Sequence, residues 1–195
     1  QLDENIVIVT ETNLPKNENL SYFGKNDEAH WIYNFSLPPL IIYTFLFGDS
    51  SSITKWSMKM PPAQFGNAYL NFIASHDGIG MRPAEGVLSD EDINNMLTRL
   101  KKNGSEFSMR KLKGTEDKVY EANISLFSAL QNIDTDSNGI FALDRFIAAH
   151  CIILAIEGVP AFYFNSFFGT KNDKQSYLKS GIKRDLNRHK WHFSD

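Results

Sequence analysis

Two carboxyl side chains in this chain stand where acid–base chemistry is done. Asp77 ends the stretch Leu70-Asn71-Phe72-Ile73-Ala74-Ser75-His76-Asp77, and Gly78 and Gly80 follow it. An apolar run that stops at His-Asp and then turns on glycine is how a buried strand delivers a carboxylate to its C-terminal mouth. Catalytic groups collect at such mouths in parallel α/β folds. A strand closed by an ordinary Asx-type turn gives the same pattern, so both readings stand. Glu11 is the second group, at the end of Val9-Thr10-Glu11-Thr12-Asn13-Leu14-Pro15. A carboxyl at the mouth of an apolar strand is desolvated, which favours the protonated form that a general acid uses. An exposed loop glutamate is the alternative. Carboxyl pairs at the ends of parallel strands are the groups that glycosidic chemistry employs.

The elements that must position them follow from the apolar runs. Strands are expected at Ile6–Thr10, Ala29–Phe35, Tyr69–Ala74 and Pro160–Asn165, each running into polar or turn residues. Helices are expected at Pro39–Gly48, with proline in its first turn, and at Leu143–Glu157, stopped by Gly158. This alternation predicts parallel βα units, an α/β fold. Ile6-Val7-Ile8-Val9 suits a strand buried on both faces, and its position so near a start without methionine predicts a piece of a longer polypeptide. Met81 to Asp136 breaks the rhythm. Ser89 is placed to cap a helix that stops near Asn103-Gly104, Phe107–Leu112 and Lys118–Ile124 can pair as a hairpin around Gly114, and Ser125–Gln131 looks helical. An insertion after the His-Asp strand would shape a substrate site.

Composition narrows the class. The chain has 195 residues, 42% hydrophobic and 22% charged, with a formal net charge of −3. It has no basic run, which argues against a nucleic-acid partner. The single cysteine, Cys151, excludes an internal disulfide and reads as a small buried hydrophobe within Ala148–Leu154. The longest apolar stretch, Leu37–Phe47, is too short to span a membrane, and a cytoplasmic location is expected. The Asn-X-Ser sequons at Asn19, Asn34, Asn103 and Asn123 read as chance matches. Asp134-Thr135-Asp136-Ser137-Asn138-Gly139 fits the first half of an EF-hand loop, but Arg145 stands where the bidentate Glu is needed. A turn that caps the following helix is expected instead.

Several separated blocks, taken together, are specific. They are Thr10–Pro15 with Asn19-Leu20-Ser21-Tyr22-Phe23-Gly24, Ser75-His76-Asp77-Gly78-Ile79-Gly80-Met81-Arg82-Pro83, and Lys183-Arg184-Asp185-Leu186-Asn187-Arg188-His189-Lys190. Trp31–Pro39 and Gly158–Tyr163 support them. In this order they resemble the sucrose phosphorylase and glucosylglycerate phosphorylase branch of the α-amylase superfamily, over nearly the whole chain. The resemblance implies the C-terminal half of a (β/α)8 TIM barrel, about strands five to eight. Units five to seven would occupy residues 1–80, a small inserted α+β subdomain 81–136, and unit eight with the start of the following segment 137–195.

By the same resemblance, Glu11 is the general acid/base. Asp77 stabilises the oxocarbenium-like transition state and holds sugar hydroxyls. His76 and Arg188 bind the glucosyl ring, and Tyr120 and Glu121 belong to a loop on the phosphate or acceptor side. Arg82, Arg110 and Lys118 are candidate cations for the acceptor, set against a reading as solvated surface charges. The implied reaction transfers glucosyl from sucrose or a related glucoside to phosphate through a covalent glucosyl-enzyme. Inorganic phosphate is the co-substrate, with no metal and no other cofactor, and neither nucleic acid nor membrane is a partner. The nucleophilic aspartate of the superfamily lies in a Gly-X-Arg-X-Asp-Ala-like block, which is absent here; Gly181–Leu186 resembles it only superficially. The implied partner is therefore the N-terminal half of the barrel, and the chain alone is expected to be inactive and to expose apolar sheet edges. Arg82-Pro83-Ala84-Glu85-Gly86 is closer to the glucosylglycerate or glucosylglycerol type. A hydrolase or glucosyltransferase of the same superfamily, and a non-catalytic sugar-binding remnant, are the alternatives.

Overall fold

The computed structural model describes residues 6–25, 27–111, 114, 117–132 and 134–192. Leu112, at the end of the expected hairpin's first strand, lies outside them, as do the outermost residues of the first and last expected units. In chain order the elements are β1 (Val9–Thr10), α1 (Lys16–Leu20), β2 (Trp31–Tyr33), α2 (Leu37–Phe47), α3 (Ser51–Ser57), β3 (Ala68–Asn71), β4 (Ile79–Gly80), α4 (Asp90–Lys102), β5 (Glu106–Arg110), β6 (Lys118–Asn123), α5 (Leu126–Ala129), α6 (Ala142–Ala155), β7 (Val159–Pro160), α7 (Phe164–Phe167) and α8 (Lys174–Ser180). Short 3-10 turns occupy Ser21–Phe23, Arg82–Ala84 and Lys183–Asn187.

Two sheets result. One is a four-stranded sheet in the order β1-β2-β3-β7. All its pairings are parallel, with Val9 opposite Trp31, Ile32 opposite Tyr69 and Leu70 opposite Val159. The other is a three-stranded antiparallel sheet, β4-β6-β5, whose long hairpin carries an irregularity between Ser108 and Met109. Parallel neighbours need crossovers, and α2 with α3 supplies the one between β2 and β3. The antiparallel sheet and α4 to α6 fill the interval between β3 and β7.

Helix α2 lies at the centre of the main core. Pro38 and Pro39 sit in its first turn, where a missing N–H costs little. Every residue from Leu37 to Tyr43 is buried, and Gly48 ends the helix in the left-handed region at φ 67°. Tyr43 donates to the Asp92 carboxylate at 2.8 Å and so ties α2 to α4. Helix α4 starts at Ser89, whose hydroxyl accepts the Asp92 N–H at 3.1 Å. Acidic residues fill its first turn and basic residues its last, as the helix dipole favours. Behind the parallel strands, wholly buried Asn71 accepts from Asn34 Nδ2 at 3.0 Å and donates to the Glu157 carbonyl at 2.9 Å. That chain of amides joins the ends of β2, β3 and the lead-in to β7, and it satisfies polar groups the core would otherwise penalise.

Three expectations are corrected. The run Ile6–Thr10 is not buried on both faces: Ile6, Val7 and Val9 are exposed, because β1 has a neighbour on one side only. The fourth strand is Val159–Pro160 and does not run from Pro160 to Asn165. Ala161 N–H still reaches the Asn71 carbonyl at 2.7 Å, after which the chain turns into α7. Cys151 is exposed, because the face of α6 that carries it has no element packed over it. The EF-hand-like segment is a turn before α6. Asp136 accepts the N–H groups of Ile140 and Phe141 at 2.8 and 3.0 Å and lies 2.9 Å from Arg145. Asn19, Asn34 and Asn123 are buried within hydrogen-bonded networks. Among the described residues, no helix is long and apolar enough to cross a membrane.

Candidate active site

The turn after β3 is shaped by its own backbone. Asp77 N–H reaches the Ser75 hydroxyl at 3.2 Å, and Gly78 N–H reaches the Ser75 carbonyl at 3.1 Å. Gly78 sits at φ 105°, and a Cβ there would lie 2.5 Å from the Ala122 carbonyl oxygen. Only glycine fits, so the first residue after Asp77 is dictated by the approach of β6. From that strand, Asn123 Nδ2 donates to the Asp77 carbonyl at 3.1 Å.

The C-terminal segment clamps the turn from another side. Asn187 Nδ2 donates to the His76 carbonyl at 2.9 Å, and Arg188 Nε donates to the same oxygen at 2.7 Å. Arg188 Nη2 lies 3.0 Å from Asp77 Oδ1, and Arg184 Nη1 lies 2.8 Å from that same oxygen. His76 Nε2 is 3.4 Å from Oδ1, and its imidazole is largely exposed. Asp77 is thus a carboxylate set between two guanidiniums, with its backbone fixed on both sides.

One cavity of about 180 Å³ gathers Glu11, Asn13, Phe35, His76, Asp77, Tyr120 and Glu121 among its lining residues. Glu11 enters from the C-terminal end of β1 and Asp77 from the C-terminal end of β3, while Tyr120 and Glu121 come from β6. Tyr33 shows the reach of Glu11: burial raises the pKa of its phenol, and the Glu11 charge raises it further. The Oδ1 atom of Asn13 is buried without a hydrogen-bond partner. The structure therefore brings together Glu11, His76, Asp77, Tyr120 and Glu121, with Arg188 bound to the same turn.

The candidate acceptor cations are placed elsewhere. Arg110 pairs with Glu85 at 2.6 Å, Arg82 lies 3.7 Å from Glu18, and Lys118 lies 3.9 Å from Asp90. None of them lines the cavity that holds Glu11 and Asp77. A larger hollow of about 550 Å³, between α1, α3 and residues 85–87, contains neither carboxylate. No cluster of three or more metal-ligating side chains occurs among the described residues.

Sequence reading missed Arg184, Asn187 and Asn123. The available signal was their place in the Lys183–Lys190 and β6 stretches, beside the residues already singled out. Glu121 is buried, and its carboxylate is engaged by Arg184 at 2.8 and 3.0 Å through Nη2 and at 3.3 Å through Nε.

No family model matches the chain. It is 40% identical over 189 residues to the glucosylglycerate phosphorylase of Allomeiothermus silvanus, which covers 95% of this chain and 34% of that protein. It is 27% identical over 184 residues to the sucrose phosphorylase of Bifidobacterium adolescentis, covering 87% of this chain and 34% of the relative. Among solved structures, the sucrose 6F-phosphate phosphorylase from Thermoanaerobacter thermosaccharolyticum superimposes with a TM-score of 0.79 at 21% identity, over 97% of this chain and 36% of that one. The last match establishes a common fold. The chain spans about a third of the length of the curated relatives it matches. By sequence its homologues are the glucosylglycerate and sucrose phosphorylases, and its α/β fold is a part of theirs.

Proposed function

We propose that this chain is the part of a retaining α-glucoside phosphorylase that carries the fifth to eighth βα units of a (β/α)8 barrel, with the antiparallel sheet as an inserted subdomain. The observation that carries the reading is the meeting of Glu11 and Asp77 in one cavity, from the C-terminal ends of two strands of one parallel sheet. In that reading Glu11 protonates the leaving oxygen as the C1–O bond breaks. A nucleophilic aspartate, absent from these 195 residues, bonds to C1. Retaining chemistry places acid and nucleophile roughly 5–5.5 Å apart on the two sides of the sugar. An oxygen of inorganic phosphate then attacks C1, the ester bond to the enzyme breaks, and Glu11 takes back a proton. Two inversions leave the α configuration in glucose 1-phosphate.

Asp77 faces the oxocarbenium-like charge, and His76 and Arg188 hold the glucosyl ring. Tyr120 and Glu121 border the acceptor side. The reaction requires phosphate as co-substrate and no metal or organic cofactor, and we place it in the cytoplasm. Glucosylglycerate is the preferred substrate in this reading, because identity is 40% to a glucosylglycerate phosphorylase and 27% to a sucrose phosphorylase.

The test compares the chain alone with the chain joined to the nucleophile-bearing remainder of the barrel. Phosphate, sucrose and glucosylglycerate are supplied, and glucose 1-phosphate is measured. Release only from the joined protein, faster with glucosylglycerate, is the expected result. Release of free glucose without need of phosphate would make the protein a hydrolase. Saturable glucoside binding with no turnover would make it a sugar-binding remnant.

A further inference from the structure

The carboxylates of Asp77, on the turn between β3 and β4, and Glu121, on β6, are both held by one side chain. Arg184, on the 3-10 turn Lys183–Asn187, presents Nη1 to Asp77 Oδ1 at 2.8 Å. With Nη2 it meets both oxygens of Glu121, at 2.8 and 3.0 Å, and Nε adds a third contact at 3.3 Å. Glu121 is 5% exposed, and a carboxylate so buried is costly without a cation. A guanidinium is the group whose planar fork can serve two carboxylates at once, whereas an ammonium is a single point of charge. The same turn is bolted to the antiparallel sheet by Lys183 Nζ, which donates to the Phe107 carbonyl at 2.6 Å.

We propose that Arg184 is a positioning residue that couples Glu121, on β6, to Asp77, on the turn between β3 and β4, and so sets how the acceptor-side loop stands over the glucosyl site. The bridge stands on these contacts alone; the words glucosyl and acceptor rest on the function proposed above. The charged and titratable groups around it are His76, Asp77 and Glu11 at the strand mouths, Tyr120 and Glu121 on β6, and Arg188 on its own segment. A substrate that disturbs one carboxylate is thereby felt at the other. Specificity for the acceptor and grip on the glucosyl ring become linked properties.

The test is NMR of the full chain at constant neutral pH, reading the Arg184 guanidinium N–H signals and the side-chain carboxyl carbons of Asp77 and Glu121. In the unmodified chain the guanidinium is held at both ends and its N–H exchange is slow. Asp77→Asn and Glu121→Gln should each speed that exchange roughly tenfold, the scale of one lost charge-assisted hydrogen bond. Glu121→Gln should also shift the Asp77 carboxyl signal through their common partner Arg184. Arg184→Lys retains the charge and should still shift both carboxyl signals, because it cannot reproduce both contacts; Arg188→Lys should shift Asp77 more than Glu121, because of the two it touches only Asp77. An Arg184 signal that responds to one carboxylate and not the other overturns the proposal. So does an Arg184→Lys effect confined to one carboxyl, which decides the matter even where the neutral variants fail to fold. Turnover is not read, so a joined protein without phosphorolysis would refute the proposed function and leave this result standing.

Discussion

Glu11 and Asp77 share a cavity but differ in their neighbours, and in the proposed reading that difference divides their work. Asp77 lies within 3.0 Å of two guanidiniums, so its negative charge is oriented before any substrate arrives. Preorganised charge aimed at a developing cation is the larger part of most electrostatic catalysis. Among the described residues no cation pairs with Glu11, which shares its cavity with Asn13 and Phe35 and acts on the phenol of Tyr33. A carboxyl in such company can pass a proton to a leaving group and recover it. In the joined enzyme, Glu11→Gln should lower kcat by about 10²–10⁴-fold with glucosylglycerate. Most of that loss should disappear with α-glucosyl fluoride, whose leaving group needs no proton, whereas Asp77→Asn should stay impaired with both substrates. Steady-state kinetics on the two substrates checks the pair. The turn that carries Asp77 makes its own prediction. Gly78→Ala places a Cβ 2.5 Å from the Ala122 carbonyl at φ 105°, and should destabilise the fold by about 1–3 kcal/mol, read as a lower Tm.

Elements in this chain are decided by their ends, and the turn before α6 shows how. Burial alone would raise the Asp136 carboxyl, but the N–H groups of Phe141 and Ile140 and the Arg145 guanidinium outweigh it and hold the group below the usual carboxylate range. A carboxylate whose folded pKa is depressed contributes stability above its unfolded value, about 3.9, and loses it as pH falls through the lower folded value. Asp136→Asn should therefore lower Tm near pH 7, and its difference from the unmodified chain should persist down to about pH 4 and shrink only as pH falls further, through the lower folded value, which melting curves across pH will show. Sequence alone identified this turn, since Arg145 in place of Glu excluded calcium, and it identified α2, α4 and α6 from proline, cap and glycine positions. It lengthened the strands, because an apolar run does not stop where the ladder stops. Pro160 to Asn165 reads as a strand by composition, yet the chain turns at Tyr163, whose hydroxyl donates to the Asn187 carbonyl at 2.9 Å. Strand β4 is two residues long and half glycine, too short for any period to register. The positions of the strand-end carboxylates were legible for the opposite reason, since they depend on local sequence. Arg184 was not, because its partners stand 107 and 63 residues away along the chain.

Taken whole, the molecule leaves apolar surface at both ends of its parallel sheet. At the β1 end Ile6, Val7 and Val9 are 46%, 50% and 41% exposed. Toward the β7 end, α6 shows Leu143, Ile147 and Leu154 at 58%, 52% and 58%, with Cys151 on the same stripe. The spacing of these four residues, four, four and three apart, is one face of a helix. Helix faces and sheet edges of this kind are covered in a closed barrel, and the relatives are about three times as long as the part matched here. Cys151 read as buried from sequence because an apolar helix normally finds a partner; the face is apolar, and among the described residues it stays exposed. Alone, the protein should therefore self-associate. Replacing Leu143, Ile147 and Leu154 with glutamine should abolish that association and leave the helical circular dichroism unchanged, since these side chains are more exposed than buried. Size-exclusion chromatography with light scattering measures the first effect. The same triple variant should weaken recovery of activity when the rest of the barrel is supplied as a separate chain. Unimpaired recovery would mean that the α6 stripe is not the face on which the barrel closes.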